Sequence, residues 1–204
     1  MYRIDEQHIE PKNVGSRLTA LTRLGQVIFH AGDLASLWQI KNPNTLHTTL
    51  HRYVQKGLLK RIYKGMYALK PLHELDPYLL GLKVLHRFSY VSTETVLTAQ
   101  GLMLQKIHAI TLVSDISKQF SIGPHHYRCR KLSDRYLHNP AGIGTLGGVP
   151  TATVERALAD LLYFNPRAYL DGAPRINWQK VRRLQKEIGY PITYDSSQPQ
   201  RRRA

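Results

Sequence analysis

Asn44, Thr48, His51, Arg52 and Gln55 can donate to or accept from base edges and phosphates, and they recur at a spacing of four, three, one and three residues. On a period of 3.6 residues they share one helix face, with Thr45 at its margin. Leu46, Leu50, Tyr53 and Val54 recur at i, i+4, i+7 and i+8 and form the opposite, apolar face. Any solvated surface helix can show the same division, so the stripe alone does not specify a ligand. Charge adds what the stripe lacks. Between Asp33 and Glu74 there is no acidic residue, while Lys41, Arg52, Lys56, Lys60, Arg61, Lys64 and Lys70 all fall there. A face stripped of acids is what counter-ion release at a phosphate backbone requires.

The elements that would present these residues follow from local chemistry. Asn42–Pro43 predicts a helix start, with Asn as cap and Pro at the first helical position, and Gly57 predicts its end. Upstream, Ser16 is a plausible cap for a helix carrying Leu18, Leu21 and Leu24, with Val27 and Ile28 beyond. A turn is expected at Ala31–Gly32, and Asp33 as the cap of a second helix with Leu34, Leu37 and Trp38 on one face. Downstream, "LLKRIYKGMYAL" reads as a strand, a Tyr-Lys-Gly turn and a second strand, with Gly65 supplying the positive φ of a tight turn.

Three helices closed by a basic-tipped hairpin is the winged helix-turn-helix order, in which the third helix enters the major groove and the hairpin reaches flanking phosphate or minor groove. Asn44, Thr45, Thr48, His51 and Arg52 are therefore the candidates for base edges and adjacent phosphates. Gln55 and Lys56, nearer the helix end, suit phosphate, and Arg61 and Lys64 are the wing contacts.

Residues 33–69, "DLASLWQIKNPNTLHTTLHRYVQKGLLKRIYKGMYAL", resemble the winged-helix N-terminal domain of AbiEi-type antitoxins from abortive-infection toxin–antitoxin systems. The stretches "YVSTETVLTAQGL", "ITLVS" and "TATVERALADLLYFNP" resemble that family's C-terminal domain in the same order, so the resemblance spans residues 16–190. It implies a transcriptional repressor that autoregulates its operon through inverted repeats and counteracts a nucleotidyltransferase-like toxin, directly or indirectly. The winged helix would be the operator reader and the C-terminal domain the antitoxin part. Inverted repeats imply two copies on DNA, and with no heptad zipper in the chain a monomer in solution is expected.

The fold class expected is α+β, a winged helix followed by a larger mixed α+β domain. The boundaries are 1–72 for the DNA-binding domain, 73–190 for the antitoxin-like domain and 191–204 for a basic, flexible tail that includes Arg201–Arg203. In the second domain "DPYLLGLKVLHRF" predicts a helix with Leu79, Leu82, Val84 and Leu85 inward, and Ser92 or Thr93 starts another. "HAITLVS", "QFSIG" and "HHYRCRKL" read as strands. A helix capped near Thr151 or Thr153 carries Val154, Ala157, Leu158, Leu161 and Leu162, and Trp178, Val181, Leu184 and Ile188 mark a last amphipathic helix.

Enzymatic constellations are weaker. "GIGTLGG" (142–148) lacks both the Lys-Ser/Thr of a phosphate-binding loop and the G-x-G-x-x-G pattern, and reads as a flexible connection. His47 and His51 form an i, i+4 pair without a neighbouring acid or cysteine. A magnesium-dependent nuclease, the alternative function, would need Asp115, Asp134, Glu155 or Asp160 to converge, whereas Arg156 beside Glu155 suggests a surface ion pair. Cys129 lies between Arg128 and Arg130, which would lower a thiol pKa, but has no evident base partner. The chain is therefore read as a non-enzyme without cofactor or metal.

Composition agrees with a polyanionic partner. The 204 residues hold 29 Lys and Arg against 14 Asp and Glu, a formal charge of +15. A single cysteine excludes an internal disulfide, no apolar run is long enough to span a bilayer, and the N-terminal "MYRIDEQHIE" lacks the apolar middle of a signal peptide. A cytoplasmic location is the expectation.

Overall fold

The computed structural model describes residues 14–193; the N-terminal decapeptide and the Arg201–Arg203 tail lie outside them. The fold is α+β, and the chain divides between Asp76 and Pro77 into two compact units. Among the described residues no helix is long and apolar enough to cross a membrane.

The first unit contains α1 (Val14–Arg23), β1 (Ile28–His30), α2 (Ala31–Leu37), α3 (Pro43–Gln55), β2 (Lys60–Tyr63) and β3 (Met66–Ala68). The strands form an antiparallel sheet in the order β1-β3-β2. This is the three-helix, winged-hairpin arrangement expected, with a short strand between the first two helices. Leu21, Phe29, Leu34, Trp38, Leu46, Leu50, Tyr53, Leu59 and Tyr67 make one core that draws on every helix and all of the sheet's flanks. Burying such side chains contributes about 1.5–3 kcal/mol each before conformational entropy is subtracted.

Two caps differ from expectation. Helix α1 already includes Ser16, which therefore is not its cap. In α2 the cap is His30, three residues before Asp33. The His30 ring accepts from the Gly32 amide at 3.3 Å, and the Asp33 carboxylate accepts from the His30 amide at 3.2 Å. Asp33 thus completes a reciprocal capping box from the third helical position, and Ala31–Gly32 is the first turn of the helix. Strand pairing explains the earlier start. His30 pairs with Met66 in the sheet, so the chain passes directly from strand to helix.

The second unit holds α4 (Pro77–Leu85), β4 (Ser89–Val91), α5 (Glu94–Ala99), β5 (Ile110–Ser114), β6 (Lys118–Ile122), β7 (His125–Lys131), α6 (Asp134–Leu137), β8 (Ile143–Leu146), β9 (Val149–Ala152), α7 (Val154–Phe164) and α8 (Trp178–Ile188). Its six strands form a mixed sheet in the order β6-β7-β5-β4-β9-β8, with β5/β7 and β4/β9 parallel. Helices α5 and α8 pack against α7. Leu112, Val113, Tyr90 and Val91 of the sheet and Leu158, Leu161 and Leu162 of α7 are buried.

Three stretches of this unit depart from expectation. "GIGTLGG" is no loose connection but strand β8 and the turn to β9. Gly147 (φ +58°) and Gly148 (φ +83°) both take the positive φ that a type I′ two-residue hairpin turn demands at its central positions. In α4 the fully buried positions are Leu80, Gly81, Leu82 and Leu85, while Leu79 and Val84 are half-buried. The Tyr127 ring lies against Gly81, which sets the helix's rotation. In α8 the buried residues are Val181, Gln185 and Ile188, with Trp178 and Leu184 at the margin. Gln185 tolerates burial because Thr193 satisfies both ends of its amide, at 2.9 and 3.0 Å.

Candidate nucleic-acid interface

Helix α3 is set by its own first residues. The Asn42 side chain accepts from the amides of Asn44 (2.9 Å) and Thr45 (3.3 Å), and Pro43 occupies the first turn where no amide is needed. Leu46, Leu50 and Tyr53 are buried and Val54 is half-buried, so the apolar stripe faces the core as its spacing requires. Tyr53 stacks obliquely on Trp38 of the preceding turn at 5.2 Å. That contact ties α3 to α2 and fixes which face turns outward.

The outward face is the polar one. Asn44, Thr45, Thr48, His51, Arg52, Gln55 and Lys56 are all exposed. Gly57 (φ +72°) ends the helix, and Leu59, completely buried, anchors the chain before the hairpin. Strand β2 pairs with β3 through Lys60↔Ala68, Arg61↔Tyr67 and Tyr63↔Met66, with a register shift between Arg61 and Tyr63. Lys60 and Arg61, adjacent in sequence on this edge strand, are both exposed, and the shift falls after them. Lys64 and Gly65 (φ +68°) form the tip, with Lys64 exposed.

All nine predicted residues therefore lie on the surface of one unit, seven on α3 or its C-terminal end and two on the hairpin. Among the described residues none of the nine forms an ion pair. The cations Lys41 and Lys60, exposed just before α3 and at the root of the hairpin, belong with them. Both are visible in the acid-free window of the sequence, but spacing alone does not separate them from it. The flanking acid Asp33 is turned to the His30 amide.

The other constellations resolve differently. His47 and His51 are both exposed, and among the described residues no group of three or more His, Cys, Asp or Glu is placed to hold a metal ion. Asp115 accepts from Arg87 at 2.7 Å, which lowers its carboxyl pKa. Asp134 begins the short α6. Asp160 is buried within α7, and its partner is Arg156 one turn earlier at 2.9 Å. The expected surface pair of Glu155 with Arg156 is thus replaced by a buried pair on the other side of the helix.

That pair is the polar centre of the second unit. The Asp160 carboxylate accepts from the hydroxyls of Ser92 (2.7 Å), Tyr90 (3.0 Å) and Tyr190 (2.7 Å). The Arg156 guanidinium donates to the carbonyls of Asn139 and Ala141, each at 2.9 Å, and to the Tyr90 hydroxyl at 2.8 Å. Burial pushes the Asp160 carboxyl upward, opposed by the Arg156 charge and the three hydroxyls. Burial and the Asp160 charge likewise raise both tyrosine hydroxyls well above their ordinary value. With its lone pairs and N–H groups directed at partners, the group binds α7 to β4, α6 and the segment after α8.

Cys129 is also relocated by alternation. It faces the interior of β7 while Arg128 faces solvent, and its thiol donates to the Ile116 carbonyl at 3.3 Å. Burial and the Asp115 charge push its pKa up to about 12, the reverse of what two neighbouring arginines in sequence suggest.

Comparison with known proteins gives the fold and no more. The crystal structure of the RV2827C protein from Mycobacterium tuberculosis is similar at a TM-score of 0.51 and 16% identity, over 85% of this chain and 70% of that one. No protein-family model matches the chain. No curated protein matches it.

Proposed function

We propose that this protein is a sequence-specific DNA-binding transcriptional repressor that acts as the antitoxin of a toxin–antitoxin operon. It autoregulates its promoter through inverted repeats and counteracts a nucleotidyltransferase-like toxin, directly or indirectly. It works in the cytoplasm, without enzymatic activity, cofactor or metal. One observation carries the DNA-binding part: the exposed polar face of α3 and the Lys64-tipped hairpin belong to one compact unit and to one stretch of chain without an acid.

On this reading Asn44, Thr45, Thr48, His51 and Arg52 meet base edges and adjacent phosphates in the major groove. Gln55 and Lys56 contact phosphate, and Arg61 and Lys64 reach the flanking backbone or minor groove. The antitoxin part rests on the resemblance of residues 16–190 to AbiEi-type antitoxins, with the second unit as the antitoxic element. Two monomers meeting on adjacent half-sites satisfy the inverted repeats.

A reporter placed behind the DNA upstream of this protein's own gene tests the reading in cells. The protein represses the reporter, and the Thr48→Ala/Arg52→Ala variant does not, although it is produced at the same level. Co-expression with the toxin of the same operon restores growth, and it does so also with that variant, because antitoxicity resides in the second unit. Unchanged reporter output with the wild-type protein contradicts the repressor reading.

A further inference from the structure

The second unit carries a cationic recess that the operator reading does not use. Strands β6 and β7 pair through Gln119↔Arg128 and Ser121↔His126, so these four side chains stand on one face of the sheet, and all four are exposed. Ser121 and His126 are joined at 2.8 Å. The segment between α5 and β5 brings Lys106 and His108 beside this face. Two clefts of about 380 Å³ and one of about 230 Å³ meet there, and His108 lines all three.

The smallest cleft is lined by two chemically different kinds of side chain. Lys106 and Arg128 line it as cations, and Met103 and Ile107 line it as apolar groups. Its single carboxylate, Glu94, is already paired with Arg130, so the charges of Lys106 and Arg128 are left uncompensated at the recess. Cations and apolar side chains lining one cleft match a phosphate attached to a nucleoside. A recess of this size accepts one strand, whereas a duplex would rest on its rim.

We infer that this recess binds a nucleoside phosphate, either as a free nucleotide or as part of a single strand. Lys106 and Arg128 hold the phosphate, His108 and His126 hydrogen-bond at its edge, and Met103 and Ile107 cover the sugar or base. The site lies in a different unit from α3 and stands or falls separately from operator recognition.

Fluorescence anisotropy on the full chain with a labelled single-stranded RNA of about ten nucleotides tests the inference. Lys106→Gln/Arg128→Gln is compared with Lys180→Gln/Arg183→Gln, which removes the same charge from the exposed side of α8. Both variants are first shown to melt as the wild type does; if the first does not, Lys106→Gln alone, on an exposed segment, replaces it. The expected result is about tenfold weaker binding for the recess variant at constant salt, and less than about twofold for the α8 variant.

Competition by AMP identifies a free nucleotide as the ligand. Competition by unlabelled strand but not AMP identifies the strand. Three results overturn the inference: equal losses in the two charge variants, equal dependence of duplex binding on Lys106 and Arg128, or binding of strand and AMP no tighter than that of inorganic phosphate.

Discussion

Arg156 Nε donates to Asp160 Oδ1 at 2.9 Å across one turn of α7, with both side chains wholly excluded from solvent. Removing one partner leaves a buried charge without compensation. Asp160→Asn and Arg156→Met are each expected to destabilise the second unit by about 3–5 kcal/mol in urea unfolding. Replacing both with apolar residues of similar volume costs less than the sum, and a double-mutant cycle checks this.

Gly81 of α4 lies where an added Cβ would come within 2.4 Å of the Tyr127 ring and 3.2 Å of a Leu112 methyl. Tyr127 cannot easily retreat, because its hydroxyl donates to the Pro77 carbonyl at 2.8 Å and its ring stacks on Phe120 at 4.8 Å. Alanine ordinarily gains about 1 kcal/mol over glycine inside a helix. At this position overpacking, about 1–3 kcal/mol, opposes that gain. Gly81→Ala should therefore lower the melting temperature, and a raised value refutes the close approach.

Burial and the Asp115 charge push the Cys129 thiol up to about 12 in the folded chain. The native thiol should resist iodoacetamide at pH 8 and react once the chain is unfolded in urea. Linkage fixes the sign at higher pH. An unfolded thiol loses its proton near its ordinary value of about 8.5–9, so above that the folded state holds more protons. This group's contribution to stability is complete below pH 9 and declines as pH rises towards 12. The stability difference between wild type and Cys129→Ala should fall over that interval.

Arg61 and Lys64 are exposed on the hairpin, where the proposed docking sets them against phosphate. Arg61→Ala and Lys64→Ala should each weaken binding to operator and unrelated duplex alike. Each should lower the slope of log affinity against log salt by about one. Selective loss of operator preference in either variant would instead place that side chain at a base edge.

What is legible in the sequence is mostly what is decided locally. Asn42–Pro43 carries its own cap, Gly65 its own turn, and Leu46, Leu50 and Tyr53 repeat at the period of the helix they form. Strand β5 shows in its β-branched Ile110, Thr111 and Val113, and β7 in its alternation of Tyr127 and Cys129 with charged residues. Arg156 looks like a surface residue in the sequence because its burial depends on Tyr90 and Tyr190, 66 and 34 residues away, and on the carbonyls of Asn139 and Ala141. No local pattern announces such partners. His30 is concealed as a cap because strand β1 runs into α2 without a loop, and β8 is concealed because glycine is a poor strand former. The recess around His108 is equally invisible, since it needs the pairing of β6 with β7 and the return of Lys106 beside them.

Operator recognition by α3 is the central claim, and a salt series of binding to the duplex upstream of this protein's own gene tests it most directly. A scrambled duplex and the Thr48→Ala/Arg52→Ala variant are measured in parallel. If α3 reads the operator, the native duplex binds about a thousandfold tighter than the scrambled one, and the variant loses this preference while keeping nonspecific affinity. Equal binding of native and scrambled duplexes, with the same steep salt dependence, would contradict it.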